Sequence, residues 1–324
     1  MSVQMVQNRI RQVSRSDHMH LVLTIAVGLI SALVTYARLL SSNIVAADFT
    51  WVWRGARLLI EGSDPYALIR PEGAYPYNDY LYYPLPALLV ALPLIPFAGP
   101  FAGAIFVGIS SVLLCWGLLK EQRKHSLLLF LSAPYVYALI SVQWSPLITA
   151  AAFVLVLGFC ILAKPNLGVA ILVAYPHPRR TALAAFSVLI SLIIMPTWPL
   201  ALLRSLPAHL NYVPLFSWFG LPIMLAALFW RRSAARLLVV MACVPQRLIY
   251  DQLALFLIPQ TLRQMVMMII GGWLGIFLGL IFDDGIWALS CVYLPALACI
   301  LIQERASIAR HVEVWREDAR RMRW

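Results

Sequence analysis

What most constrains this chain is the number and continuity of its apolar runs. They follow one another with short polar breaks, at 21–40, 84–100, 101–119, 126–142, 145–163, 166–175, 181–203, 213–230, 237–244, 253–259, 265–282 and 286–302. A soluble domain covers itself with charge, about a quarter of its residues; here 12% are charged and 62% hydrophobic. At about 20 apolar residues per span, that content sets a ceiling of about ten crossings. The expected fold is all-α: a polytopic transmembrane helical bundle of about eight to ten membrane segments. Some segments are expected to be broken or re-entrant, because several runs are too short to cross alone. Continuous rather than alternating apolarity excludes a strand barrel. The same composition excludes a disordered chain, a coiled coil and a disulfide scaffold. The five cysteines all lie in apolar runs without metal-ligand spacing and read as small buried hydrophobes.

The chain divides into a polar segment 1–20, a transmembrane domain 21–302 and a basic tail 303–324. Val45-Ala46-Ala47 resembles a signal cleavage site, but the run before it is longer than a signal core, which favours an uncleaved first helix. Residues 42–83 form the longest polar stretch between apolar runs and are expected outside the cytoplasm. Within it Phe49, Val52, Trp53, Ala56, Leu59 and Ile60 recur at helical spacing, predicting a short amphipathic helix on the membrane surface, started by Asp48 and ended by Gly62. A turn at Ser63-Asp64-Pro65-Tyr66 and a tyrosine run (Tyr75, Tyr77, Tyr80, Tyr82, Tyr83) follow.

The net charge of +11 reads as orientation rather than nucleic-acid binding, because cytoplasmic loops collect Lys and Arg. Clusters stand at the N-terminus, at Lys120/Arg123/Lys124, Arg179/Arg180 and Arg231/Arg232/Arg236, and along the tail. Placing them all in the cytoplasm, with both termini, requires that the proline-rich run 84–100 does not cross. Likewise 237–259 reads as two half-helices around the polar segment 245–252, with Asp283-Asp284 outside. The tail reads as a cytoplasmic helix attracted to anionic lipid.

No P-loop, dinucleotide fingerprint, HExxH or GxSxG motif is present, and the six histidines are too scattered for a zinc site. Ionisable residues near or within the bilayer are therefore the candidates. Asp48 reads either as the N-cap of the surface helix or as a general base whose carboxyl is partly desolvated. Arg54 and Arg57 suit lipid phosphates or the phosphate of a leaving group. Lys164 is either a loop lysine or a phosphate contact. Arg247 and Asp251, spaced i,i+4, suit a mutual ion pair. Gln143-Trp144-Ser145-Pro146 marks a bend, and the tyrosines suit interfacial anchoring.

One arrangement goes further. An Asp after the first span (Asp48), a Gly62-Ser63-Asp64-Pro65-Tyr66 turn, Tyr83-Pro84-Leu85-Pro86, Val142-Gln143-Trp144-Ser145 and Lys164-Pro165 follow in order. The pattern resembles glycosyltransferase family 87 of the GT-C superfamily, over roughly residues 20–175. The family has Gly and Asn where this chain has Val142 and Ser145, its usual Tyr-Pro-Pro-Leu is here Tyr-Pro-Leu-Pro, and the interval from Gln143 to Lys164 is shorter. The resemblance implies a hexosyltransferase, typically a mannosyltransferase. Such an enzyme uses a polyprenyl-phosphate sugar on the outer face of the membrane, without a nucleotide and usually without a catalytic metal. It implies Asp48 as base toward a lipid- or glycan-linked hydroxyl, with inversion. On the family pattern Lys164 is then a donor-phosphate candidate and Gln143 a candidate for the sugar and acceptor pocket; on charge and location Arg54, Arg57, Arg247 and His209 join the phosphate candidates, and Tyr66, Tyr82 and Tyr83 the pocket candidates. The expected location is the inner membrane, with no cofactor beyond the donor substrate. Two rival readings stay open: a transporter or lipid flippase, favoured by the broken segments, and a non-catalytic membrane subunit, favoured by the shortened chain.

Overall fold

The computed structural model describes residues 3–71, 73, 79–206, 212–247 and 249–321, with side chains described from 18 to 305. Among these the regular structure is helical, save one two-residue bridge between Tyr212 and Gln246. The protein is an all-α polytopic membrane protein. Four helices are long and apolar enough to cross a membrane: α1 (Val3–Ser41, through His18–Ser41), α5 (Gly99–Lys120), α13 (Leu262–Phe282) and α14 (Ile286–Arg321, through Ile286–Arg305). A fifth span results if α9 (Pro178–Ile194) and α10 (Trp198–Ser205), which meet at 98°, are taken together. The other apolar runs fold as shorter or broken pieces. These are α2 (Phe49–Ile60), α3 (Pro65–Leu68), α4 (Leu85–Ala91), α6 (Ala133–Ile140), α7 (Ser145–Ala150), α8 (Pro165–Ala174), α11 (Gly220–Ile223) and α12 (Ser233–Cys243), with 3-10 turns among them.

Proline sets the breaks. Each of α3 to α10 opens with a proline at its first or second position. There its fixed φ suits a helix start and its missing N–H costs no bond. Run 84–100 accordingly yields α4, too short to cross, before α5 begins at Gly99.

α5 is the central helix, with 72% of its span buried; α1 and α13 turn most of theirs outward, at 22% and 28% buried. α1 meets α5 and α6 through a small and polar stripe, Thr24 and Gly28 against α5 and Ser31 and Thr35 against α6, opposite to a soluble helix. Thr24 Oγ1 reaches Cys115 Sγ at 3.8 Å, Ser31 Oγ lies 2.7 Å from Tyr135 Oη, and Thr35 Oγ1 donates to Leu139 O at 3.3 Å. Lipid is as apolar as leucine, so small residues and buried hydrogen bonds mark the packed face of a membrane helix. α13 and α14 use the same device: a Cβ on Gly271 would stand 2.3 Å from Cys291 O, and one on Gly275 2.8 Å from Trp287 O.

The α1–α5 contacts are antiparallel, Thr24 with Cys115 at one end and Leu39 beside Gly103 at the other. Lys120 therefore lies at the end of the bundle where α1 starts. Arg123, Arg180 and Arg236 gather around Tyr175 at that same end. They also cap it. Arg236 donates to Val173 O and Ala174 O at 2.9 Å each, closing α8; Arg123 to Leu257 O at 2.7 Å and Pro259 O at 2.9 Å; Arg180 to Ala152 O at 2.9 Å and to Tyr175 O. Cationic side chains satisfy carbonyls that helix ends leave open.

Candidate active site

Asp48 lies between α1 and α2, at the opposite end from these arginines. α2 forms as expected, and Gly62 stops the chain with φ +74. Its buried face, including Phe49, Val52, Trp53 and Ala56, packs on α4 and α5. Asp48 does not act as a side-chain cap. Its backbone N–H donates instead to Ser141 O at 3.2 Å, and its carboxylate Oδ2 accepts from Gln143 Nε2 and from Tyr250 Oη at 3.4 Å.

Gln143 joins two charges. Its Nε2 faces Asp48 while its Oε1 accepts from Lys164 Nζ at 3.0 Å. Lys164 Nζ pairs with Asp251 Oδ1 at 2.5 Å and lies 4.8 Å from the centre of the Tyr250 ring. Asp251 Oδ2 accepts from the Arg247 backbone N–H at 2.9 Å and from Asn166 Nδ2 at 3.2 Å. The ion pair that Asp251 makes here is thus with Lys164, where local spacing pointed to Arg247.

Three residues with positive φ stand immediately before this network: Ala47 (φ 47) before Asp48, Val142 (φ 51) before Gln143, and Ile249 (φ 76) before Tyr250. Left-handed backbone costs a β-branched residue about 1–3 kcal/mol and persists where surrounding packing over-determines it. At Val142 that packing is Trp144, buried against Phe106 at 4.9 Å between ring centres, with Phe49 stacked on Phe106 at 4.4 Å. The segment 245–252 is held by bonds to its neighbours and by bonds of its own. The backbones of Gln246 and Tyr212 exchange two hydrogen bonds, and Gln246 Nε2 donates to Met241 O and Tyr293 Oη. Gln252 Nε2 donates to Arg247 O at 3.0 Å.

Above the network opens a cavity of about 830 Å³, within the range of small-molecule sites. Its lining is in part polar or aromatic: Asp48, Trp51, Asp79, Tyr82, Tyr83, Lys164, Asn166, Arg247, Tyr250 and Asp251. The rest is largely aliphatic: Leu202, Leu203 and Leu206 from α10 and the residue after it, with Val169, Val213 and Val244. Desolvation raises the Asp48 carboxyl above its ordinary 3.8, against the pull of Lys164 and Arg247.

Of the residues singled out from sequence, Asp48, Tyr82, Tyr83, Lys164 and Arg247 line this cavity, and Gln143 sits behind Asp48 and Lys164. Tyr66 is outside the lining. Asp64 Oδ1 caps α3 by accepting from the N–H groups of Tyr66 (2.8 Å) and Ala67 (3.2 Å), and the Tyr66 hydroxyl then donates to Tyr83 O at 2.8 Å. Arg54 and Arg57 are also outside it. Arg57 donates to Ile95 O at 2.8 and 3.2 Å, and both guanidinium groups lie over Trp53. Fixed to a carbonyl and an indole, Arg57 holds α2 to the segment after α4. His209, Tyr75 and Tyr77 lie outside the described residues. Asn166, Asp79 and Trp51 escaped the sequence reading. Asn166 was signalled by its place after Lys164-Pro165, and Asp79 by its i,i+3 spacing to Tyr82, whose hydroxyl it accepts. Among the described residues no three His, Cys, Asp or Glu side chains gather as a metal site. No family model, no curated protein and no solved structure matches this chain.

Proposed function

We propose that this protein is an inner-membrane glycosyltransferase of the GT-C, family 87 type. It moves a hexose or pentose from a polyprenyl-phosphate donor to a lipid- or glycan-linked hydroxyl on the extracytoplasmic face. The observation that carries this reading is one cavity holding a half-buried carboxylate, Asp48, two cations, Lys164 and Arg247, and an aliphatic wall from α10. An amphiphile with an anionic head and a long apolar chain matches this mixture of charged and aliphatic lining. Trp51, Tyr82 and Tyr83 are among the aromatic residues of the lining, the side-chain type that stacks on sugar rings.

The acceptor oxygen attacks the anomeric carbon from the face opposite the leaving group, forming the new glycosidic bond with inversion. The bond from that carbon to the phosphate oxygen breaks, and its electron pair leaves with the lipid phosphate. The acceptor proton passes to Asp48, whose desolvated carboxylate is a stronger base than one in water. Lys164 and Arg247 meet the charge that develops on the phosphate. Arg54 and Arg57 have no part in this step, since neither lines the cavity.

The test is incubation of the purified protein with a panel of polyprenyl-phosphate sugars and mixed lipid acceptors, following donor loss and product by mass spectrometry. Asp48→Ala is expected to lower transfer by about 10²–10⁴-fold without loss of folded protein. Normal turnover by Asp48→Ala overturns the assignment. The broken helices beside the cavity also suit a flippase; transbilayer movement of the donor in proteoliposomes without a covalent product favours that second reading.

A further inference from the structure

Asp251 is fully buried at the floor of the cavity, and each of its oxygens is engaged: Oδ1 by Lys164, Oδ2 by Asn166 and the Arg247 backbone. From Lys164 the chain of hydrogen bonds continues through Gln143 to Asp48. An amide has two unlike ends. With the ammonium on its oxygen, its N–H group must face the carboxylate; reversed, it would set donor against donor and acceptor against acceptor. The place of Lys164 therefore decides which way Gln143 points, and Gln143 decides what Asp48 Oδ2 accepts. Lys164 is itself held by Asp251, its ion-pair partner.

We propose that Asp251 is the positioning residue of this site: by anchoring Lys164 it fixes Gln143 and, through it, the orientation and basicity of Asp48. The inference rests on the reading of Asp48 as the base. The charged and titratable groups that act on Asp48 are Lys164 and Arg247, which stabilise its carboxylate, Asp251, which opposes it, and the hydroxyls of Tyr250 and Tyr83. Asp79, bonded to Tyr82, stands at the same cavity. Loss of the Asp251 charge frees the full positive charge of Lys164 toward Asp48 and makes Asp48 a weaker, less well oriented base.

Two readouts test this in the full-length protein. Dicyclohexylcarbodiimide labels protonated carboxyls in apolar surroundings, so its pH-dependent addition to Asp48, read by peptide mass, reports that residue's protonation without any substrate. In Asp251→Asn the labelling midpoint is expected to fall by about one pH unit, and in Lys164→Gln to rise. With a polyprenyl-phosphate hexose as donor, Asp251→Asn is expected to lose about tenfold in kcat, with the acid limb of its pH profile displaced downward. A rate loss with both limb and midpoint unchanged overturns the proposal and leaves Asp251 a structural residue; so does a wild-type rate and profile. Should Asp251→Asn fail to fold, the double variant Asp251→Asn/Lys164→Gln removes both charges together. Its midpoint is expected above wild type, because Lys164 is one link closer to Asp48, and an unchanged midpoint there overturns the proposal. The midpoints decide the coupling whatever the donor panel shows. A wild-type protein inactive on every donor, with shifted midpoints, counts against the transferase reading alone.

Discussion

Asp48 is placed where a carboxylate is costly, and the cost has a sign. Desolvation raises its carboxyl above the ordinary 3.8, so the folded protein binds that proton more tightly than the unfolded chain does. Its effect on stability is the reverse of a salt-bridged carboxylate's: neutral below the unfolded value, and increasingly unfavourable as pH rises through the folded one. Asp48→Asn is therefore expected to melt no lower than wild type at pH 7, in a thermal scan in detergent, while losing transfer. Transfer by the wild type needs the ionised form, so its rate is expected to fall with acid from a pH above that of a free carboxyl, read from kcat/KM against pH. The Lys164–Asp251 pair behaves otherwise. Asp251→Leu alone leaves Lys164 buried and uncompensated, which costs about 3–5 kcal/mol. Lys164→Met/Asp251→Leu is expected to recover most of that in the same scan, though not activity.

At the level of elements, short helices and tight joints shape the cavity. α8 has 10 residues and is about 15 Å long, half of a hydrocarbon core of about 30 Å. It begins at the cavity floor, at Lys164-Pro165, and ends on the carbonyls that Arg236 holds. The turn Asp64-Pro65-Tyr66 is the lever that sets the tyrosine edge. Tyr66→Phe removes one hydrogen bond to Tyr83 O, expected to cost about 1 kcal/mol and to raise KM more than it lowers kcat, read by donor titration. Between α13 and α14 the spacing is set by backbone: Gly271→Val drives a side chain into Cys291 O. It is expected to lower stability by about 1–3 kcal/mol, measured by thermal melting, with little change in the activity of the molecules that remain folded.

For the whole molecule, antiparallel α1 and α5 followed by the α13–α14 hairpin return the chain to the end where it began. That end carries Lys120 and the Arg123, Arg180 and Arg236 caps, while Asp48 and the cavity lie toward the other. If the basic end is cytoplasmic, as the positive-inside rule predicts, single cysteines in a cysteine-depleted protein report it directly. In intact cells an impermeant maleimide is expected to label Glu61→Cys and to reach Gln122→Cys only after lysis. The reverse pattern overturns the orientation.

The sequence by itself determined what depends on composition and near neighbours: a helical membrane protein, the amphipathic α2 with Gly62 at its end, and broken segments around the proline-rich 84–100 and around 245–252. It also marked Asp48, Lys164, Arg247, Tyr82 and Tyr83, because charged and aromatic polar groups stand out in apolar surroundings. Tertiary structure alone decided their partners. Gln143 meets Asp48 from 95 residues away, and Lys164 meets Asp251 across 87. Local spacing sees only i,i+4 neighbours and so paired Asp251 with Arg247. It assigned Arg57 to a phosphate and the basic clusters to orientation alone, where packing turned Arg57 onto Ile95 O and made Arg123, Arg180 and Arg236 caps for open carbonyls. The physical reason is common to all of these. In a medium without water each buried charge or carbonyl must find a partner inside the protein, and only the packed arrangement of helices decides which one is within reach.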